Sequence, residues 1–375
     1  MVNDKKQVRV WCDGCYDIMH FGHANQLRQA KAMGDYLIVG VHTDEEVRRN
    51  KGPPVLTEQE RYKMVRSVKW VDEVVEGSPY TTELETMEKY GAEFCVHGDD
   101  ITLSADGTDT YQIVKDAGKY KECKRTQGVS TTDLVGRMLL MTRANNLSQS
   151  SDTGLPSQDE FVSPYTKACN LLQTNSKITQ FSSPSNEPKP GDKIVYTAGA
   201  FDLLHPGLVD FLEAAKKEGS YLIVGLYEDD VVNEYKGSQY PVQILQERVL
   251  SVLANRHVNE VLIGAPYPLT EEVLDHFKID VVVQGMVHEG DHDSDHYAVA
   301  RQRGIFKEID SGNCLKTEDL VMRIIRNRKL FMDRNRQKQI KELNNINRMA
   351  EKEKEEKEEH DDGERAGSSG SAVSS

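Results

Sequence analysis

One stretch of this 375-residue chain occurs twice. Within the run from Val8 to His23, Trp11 to Gly22 returns as Tyr196-Thr197-Ala198-Gly199-Ala200-Phe201-Asp202-Leu203-Leu204-His205-Pro206-Gly207. Asp17 matches Asp202 and His20 matches His205, each 185 residues apart, and Tyr36 to Gly40 matches Tyr221 to Gly225 at the same offset. So does Lys51-Gly52 against Lys236-Gly237. Arg61 matches Arg248, Pro79-Tyr80 matches Pro266-Tyr267 and Gly98 matches Gly285, now 187 apart. A near-constant offset across a whole lobe marks duplication, and this period is far too long for a solenoid. The chain is therefore two copies of one domain.

Each copy alternates strand and helix. In the first, Val8 to Cys12 is a β-branched and aromatic run, read as a buried strand that Asp13-Gly14 breaks into a turn. Ala24, Leu27, Ala30 and Lys31 follow at helical spacing, with Gly34 as the expected stop. Tyr36 to Val41 is a second apolar strand, and Lys51 to Val55 reads as a loop. Thr57-x-x-Glu60 is a capping box opening a helix through Val68, and Thr82-x-x-Glu85 opens another. Val71 to Val75 and Glu93 to Gly98 supply further strands. Such alternation predicts an α/β fold with a parallel sheet and right-handed crossovers, whose ligands bind at the strands' carboxyl ends. His20, Lys51, Gly98 and Asp99 all fall at or after such ends.

The expected division is 7–143 for the first domain, 144–191 for a Ser-, Asn-, Gln- and Pro-rich linker, 192–330 for the second domain and 331–375 for a charged low-complexity tail. Lys167 to Phe181 can form a short helix. Ile340, Leu343, Ile346 and Met349 mark a thin apolar stripe in the tail, which reads as a solvated helix, with a membrane-surface or partner helix as the alternative. The net charge of −14 does not favour nucleic acid or an anionic membrane as a partner. Six scattered cysteines form no disulfide framework, and no apolar run nears the roughly 18 residues that cross a bilayer. Nothing at the start resembles a leader peptide, so a cytoplasmic setting is expected.

The chemistry concentrates at two places. His20-x-Gly22-His23 sits where a strand hands over to a helix, and a helix start offers N–H donors and partial positive charge to a phosphate. Both imidazoles can share one side of the first turn. Alternatively, they are surface helix caps. Arg125-Thr126-Gln127-Gly128-Val129-Ser130-Thr131-Thr132 precedes a predicted helix from Asp133 to Met141. Ser130 or Thr131 alone would serve as an N-cap. The whole cluster exceeds a cap's needs, since an arginine can also take phosphate oxygens bidentately. Together with His20, His23 and Lys51 it could surround a triphosphate.

His20-x-Gly22-His23 with Arg125-Thr126-x-Gly128-Val129-Ser130-Thr131-Thr132 resembles the cytidylyltransferase family of the nucleotidyltransferase superfamily, which joins CTP to a phosphorylated alcohol. Two tandem copies, the second without the Arg-Thr motif, resemble the branch that uses phosphoethanolamine. Its choline-phosphate relatives are similar over one lobe only. The resemblance covers residues 7 to 330 and implies two tandem Rossmann-like nucleotidyltransferase domains. It implies CMP transfer from CTP to phosphoethanolamine, giving CDP-ethanolamine and pyrophosphate for phosphatidylethanolamine synthesis. His20, His23, Lys51 and Arg125 are then catalytic. Gly14, Cys15, Tyr16, Asp17, Gly98, Asp99 and Thr126 to Thr132 contact CTP. Lys51, Arg61, Asp99 and Asp100 are the candidates for phosphoethanolamine, with Arg61 open to a surface ion pair instead. Mg2+ is expected to accompany CTP without a dedicated protein site. An internal pseudo-dimer and at most peripheral contact with endoplasmic reticulum membrane are expected. In the second lobe Leu208 replaces His23, and Ser311 to Glu318 loses the arginine, the glycine and most hydroxyls. That lobe is expected to be degenerate, with Ala200, Phe201, His205 and Lys236 as remaining nucleotide candidates.

Overall fold

The computed structural model describes residues 7–99, 102–144, 174–182, 187–237, 239–287 and 295–340. The first lobe holds β1 (Arg9–Gly14), α1 (Phe21–Lys31), β2 (Tyr36–Val41), α2 (Asp44–Lys51), α3 (Glu58–Arg66), β3 (Glu73–Glu76), α4 (Leu84–Lys89), β4 (Phe94–Gly98), α5 (Gln112–Asp116), β5 (Tyr120–Cys123) and α6 (Thr131–Ala144). A linker helix, α7 (Thr174–Phe181), leads to β6 (Ile194–Gly199), α8 (Pro206–Lys216), β7 (Tyr221–Leu226), α9 (Asp229–Lys236), α10 (Leu245–Leu253), β8 (Glu260–Ile263), α11 (Glu271–His276), β9 (Val281–Gly285), α12 (Ala298–Gln302), β10 (Phe306–Ile309) and α13 (Thr317–Arg326). The chain is helical again over 328–340, here α14.

The α/β fold follows the expectation. Two five-stranded parallel sheets run in the orders β3-β2-β1-β4-β5 and β8-β7-β6-β9-β10. The order reverses beside β1 and β6, so the carboxyl ends of those strands open the crevice where ligands of such sheets bind.

Several local readings are corrected. The first strand runs through Asp13-Gly14 rather than breaking there. The Asp13 carboxylate is buried and accepts bonds from Trp11 Nε1 (2.8 Å), Thr82 Oγ1 (2.5 Å) and Tyr111 Oη (2.7 Å), which satisfy it in place. Thr82 is therefore spent on Asp13, and α4 starts at Leu84 without a side-chain cap. Gly34 does not end α1, whose cap is Ala32. It is glycine because a Cβ there would stand 2.5 Å from Val10 Cγ2. Lys51 belongs to the last turn of α2 rather than to a loop.

One continuous apolar core runs through both lobes. Across their junction the contacts are exchanged reciprocally. Lys69 N donates to Ala254 O (3.0 Å) and Arg256 N to Ser67 O (2.8 Å). Arg137 of α6 pairs with both Glu247 oxygens at 2.7 and 2.9 Å, and Arg323 of α13 pairs with both Glu60 oxygens at 2.6 and 2.7 Å. Each arginine also reaches a carbonyl in the opposite lobe, Val242 and Val55 respectively. The linker helix is pinned by Phe181, which is buried edge-on against Trp70 with ring centroids 5.1 Å apart.

Candidate active site

The crevice after β1 is built on a strained turn. Tyr16 and Ile18 have φ of 51° and 44°, in the left-handed region that side chains avoid. Three interactions hold this turn. The buried Asp17 carboxylate accepts from the backbone N–H of Val55 (3.0 Å) and Leu56 (3.0 Å), its carbonyl accepts from Thr131 Oγ1 (3.1 Å), and the Cys15 carbonyl accepts from Arg61 Nη1 (2.8 Å). Asp17 thus joins the turn to the loop after Lys51 and to the start of α6.

The two histidines form the capping box of α1. His20 Nδ1 accepts from Gly22 N (3.1 Å), and His23 Nδ1 accepts from His20 N (3.4 Å). A ring nitrogen that accepts from a backbone N–H carries no proton, so in each neutral ring the proton sits on Nε2. The rings lie 4.0 Å apart between centroids. Caps and functional donors are therefore the same side chains here: Nδ1 caps, and Nε2–H is left to donate. Gly22 allows this packing, because a Cβ would lie 2.8 Å from His20 Cε1 and 2.9 Å from Val129 Cγ1.

Burial, the neighbouring His23 and the Arg125 and Arg137 guanidinium groups hold His20 well below its ordinary pKa. His23 is pushed down to about 4 by burial and by Lys51, against the opposing pull of Asp17. The site is electropositive without a charge on either ring. Lys51 Nζ lies 5.9 Å from the centre of the Tyr80 ring, and Tyr80 leans on His42 at a 45° tilt with ring centroids 5.0 Å apart. Sequence reasoning used Tyr80 only as a repeat marker and missed His42.

The Arg125–Thr132 segment closes the other wall. Asp99, exposed at the end of β4, accepts from the Arg125 backbone N–H at 3.0 Å and so places that residue. Gly128 has φ of 86°. Thr126 Oγ1 accepts from Asn25 Nδ2 at 2.8 Å, and Ser130 Oγ caps α6 by accepting from Asp133 N at 3.1 Å. Thus Thr126, Ser130 and Thr131 are held in structural bonds, while Val129 packs behind Gly22. Gly14 is the last residue of β1, where a Cβ would sit 3.2 Å from the Tyr16 ring. Gly98 is the buried last residue of β4.

Arg61 is a correction. It is fully buried rather than at the surface, with Nη1 on the Cys15 carbonyl and Nη2 on Asp44 Oδ1 at 2.8 Å, so it braces the turn. Arg248 does the same in the second lobe, on Ala200 O and Asp229. Asp100 and the stripe beyond Ile340 lie outside the described residues. The tail reading also changes: α14 does not stand in solvent but lies on the first-lobe site, with Arg334 and Asn335 buried.

In the second lobe, Ala200, Phe201 and His205 line a cavity of about 110 Å³ with Leu208, Phe211 and Tyr227. Lys236 is not part of it; its ammonium is buried in an ion pair with Glu318 at 3.1 Å.

A family model described as cytidylyltransferase-like matches residues 11–137 and 196–307. The chain belongs to this family. Ethanolamine-phosphate cytidylyltransferase from Mus musculus is 54% identical over 90% of this chain and 91% of that protein. The protein of the same name from Dictyostelium discoideum is 50% identical over 90% and 96%. Choline-phosphate cytidylyltransferase 2 from Arabidopsis thaliana is 42% identical, but over only 36% of this chain and 45% of that protein. The likeness to the ethanolamine-phosphate enzymes thus takes in both lobes, and they are the branch of the cytidylyltransferases to which this chain belongs. Among the described residues no helix is long and apolar enough to cross a membrane.

Proposed function

We propose that the first lobe transfers CMP from CTP to phosphoethanolamine, giving CDP-ethanolamine and pyrophosphate. The observation that carries this is the paired-histidine capping box, which presents two Nε2–H donors beside Lys51 and the Arg125 segment. A phosphoethanolamine oxygen attacks the α-phosphorus of CTP. The new P–O bond forms as the bond to the β-phosphate oxygen breaks, and pyrophosphate leaves with the electron pair. The nucleophile is already anionic near neutral pH, so placement and charge stabilisation do the work. His20 and His23 donate to the transferring and leaving phosphate oxygens, and Lys51 and Arg125 bind phosphate. Gly14 to Asp17, Gly98 and Thr126 to Thr132 form the walls around the nucleotide. Asp99 acts on phosphoethanolamine and CTP through its hold on Arg125.

Magnesium would neutralise the triphosphate's charge and arrive with it. Among the described residues no three His, Cys, Asp or Glu side chains gather to hold a metal, and the Asp17 carboxylate is engaged by backbone donors. We assign turnover to the domain at 7–143 and read 192–330 as its partner in an internal pseudo-dimer, with any membrane contact peripheral.

Pyrophosphate release from CTP, measured with phosphoethanolamine and separately with phosphocholine, tests this reading. Release favouring phosphoethanolamine supports it. Release favouring phosphocholine overturns the acceptor, and CTP binding without release overturns the activity.

A further inference from the structure

The motifs do not contain every group at this site. One face of α14 carries Phe331, Arg334, Asn335 and Lys338, the spacing of a helix side laid on a surface. Phe331 is buried. Arg334 Nη1 donates to Pro53 O at 2.6 Å and lies 3.3 Å from Asp17 Oδ2. Its stem covers Gly52, where a Cβ would meet Arg334 Cγ at 3.4 Å. Asn335 Nδ2 donates to Thr132 O at 3.0 Å. The helix is thus fastened to both walls of the site, the loop after Lys51 and the first turn of α6.

Lys338 comes one turn after Arg334 and points the same way. It is half-buried, within electrostatic reach of Lys51, Asp17, Cys15 and His23. Among the described residues no carboxylate forms an ion pair with it. Withdrawal from water, with Arg334 and Lys51 nearby, lowers its pKa to about 7. Arg334 and Lys338 stand beside Asp17 with Lys51 nearby, a cationic setting that suits a bound anion.

Lys51 and Lys338 both act on the His23 ring, and Arg125 acts on both rings. Lys51 is the candidate for the acceptor's phosphate, so a cation beside Lys51 serves the same phosphate.

We propose that α14 is a working wall of the first-lobe site: Lys338 grips the phosphate of phosphoethanolamine together with Lys51, and Arg334 is the positioning residue for the Lys51 loop. This rests on the reading of the first lobe as a CMP transferase to phosphoethanolamine.

The test uses the full chain, with KM measured for each substrate and thermal unfolding as the check on folding. Lys338→Gln should raise the phosphoethanolamine KM about tenfold, as loss of one charge-assisted contact does, with the CTP KM little changed. Lys338→Arg should recover most of it. Arg334→Met should give the same split, with partial recovery in Arg334→Lys. A second measurement needs no variant: acylation of Lys338 in the native chain, followed by mass spectrometry, should be suppressed by phosphoethanolamine. Lys338→Gln kinetics equal to the unmodified protein, a KM rise confined to CTP, or acylation indifferent to phosphoethanolamine would each overturn the proposal. Failure of the unmodified protein to turn over CTP with phosphoethanolamine would instead remove the reading beneath it.

Discussion

The two lobes share their carpentry and differ in what they offer an anion. Tyr16 and Ile18 have left-handed counterparts in Phe201 and Leu203, both at φ 48°. Asp202 accepts from Val242 N and Gln243 N as Asp17 does from Val55 and Leu56, and Thr317 Oγ1 donates to the Asp202 carbonyl at 3.0 Å as Thr131 does to that of Asp17. Several substitutions separate the lobes chemically, among them His23 to Leu208, Arg125 to Ser311, Thr126 to Gly312, Gly128 to Cys314, Ser130 to Lys316 and Thr132 to Glu318. The last is the most telling. Glu318 places a carboxylate on Lys236, the counterpart of Lys51, so the second lobe carries its own anion. The strained turn held by backbone bonds is therefore shared by both lobes, and what differs is the set of charged groups around it.

The sharpest way to break this comparison is to treat both lobes alike. His20→Ala should lower turnover about 10²-fold or more, the scale for one lost charge-stabilising donor. His205→Asn should change it little. Equal losses in steady-state pyrophosphate release would show that both lobes turn over.

Next come the reciprocal arginines. Arg137→Met leaves Glu247 buried and unpaired and should cost about 3 kcal/mol in denaturant unfolding. Arg323→Met should cost less, about 1–2 kcal/mol, because that pair is more open to water. A reversed order would mean that the junction is not carried by these pairs.

The last effect is with pH. His23 titrates at about 4 in the folded chain and near 6.5 when unfolded. Between these values the unfolded state holds more protons, so stability falls as pH drops from about 6.5 to 4 and this contribution is gone below. His23→Gln should flatten that slope in unfolding measured across this window. Leu208 gives the second lobe no such term. CTP should reverse the field on the ring, so binding should take up protons, seen as buffer-dependent heat in calorimetry.

The parts of the fold carried by local pattern were legible: the repeat, the apolar strands, the Thr57 capping box and the placing of the two motifs at helix starts. The misreadings share a cause, partners distant in sequence. Thr82 has the spacing of a cap, yet its hydroxyl goes to Asp13. Arg61 follows Glu60 like a surface ion pair, yet it is sealed under the turn it braces. The edge strand β5 was missed because Tyr120-Lys121-Glu122-Cys123 has a charged, exposed middle. The charges of α14 looked solvated because nothing in a composition says that Arg334 reaches Pro53 and Asp17 in the first lobe.

The reciprocal grip of Arg137 on Glu247 and Arg323 on Glu60 makes the second lobe part of the first lobe's framework. The helix that opens with the Arg125 segment is moored to the second lobe, and the loop after Lys51 is moored there through Arg323 and Val55. Damage in the second lobe is thereby inherited by the first, while its own crevice is free to drift toward another use.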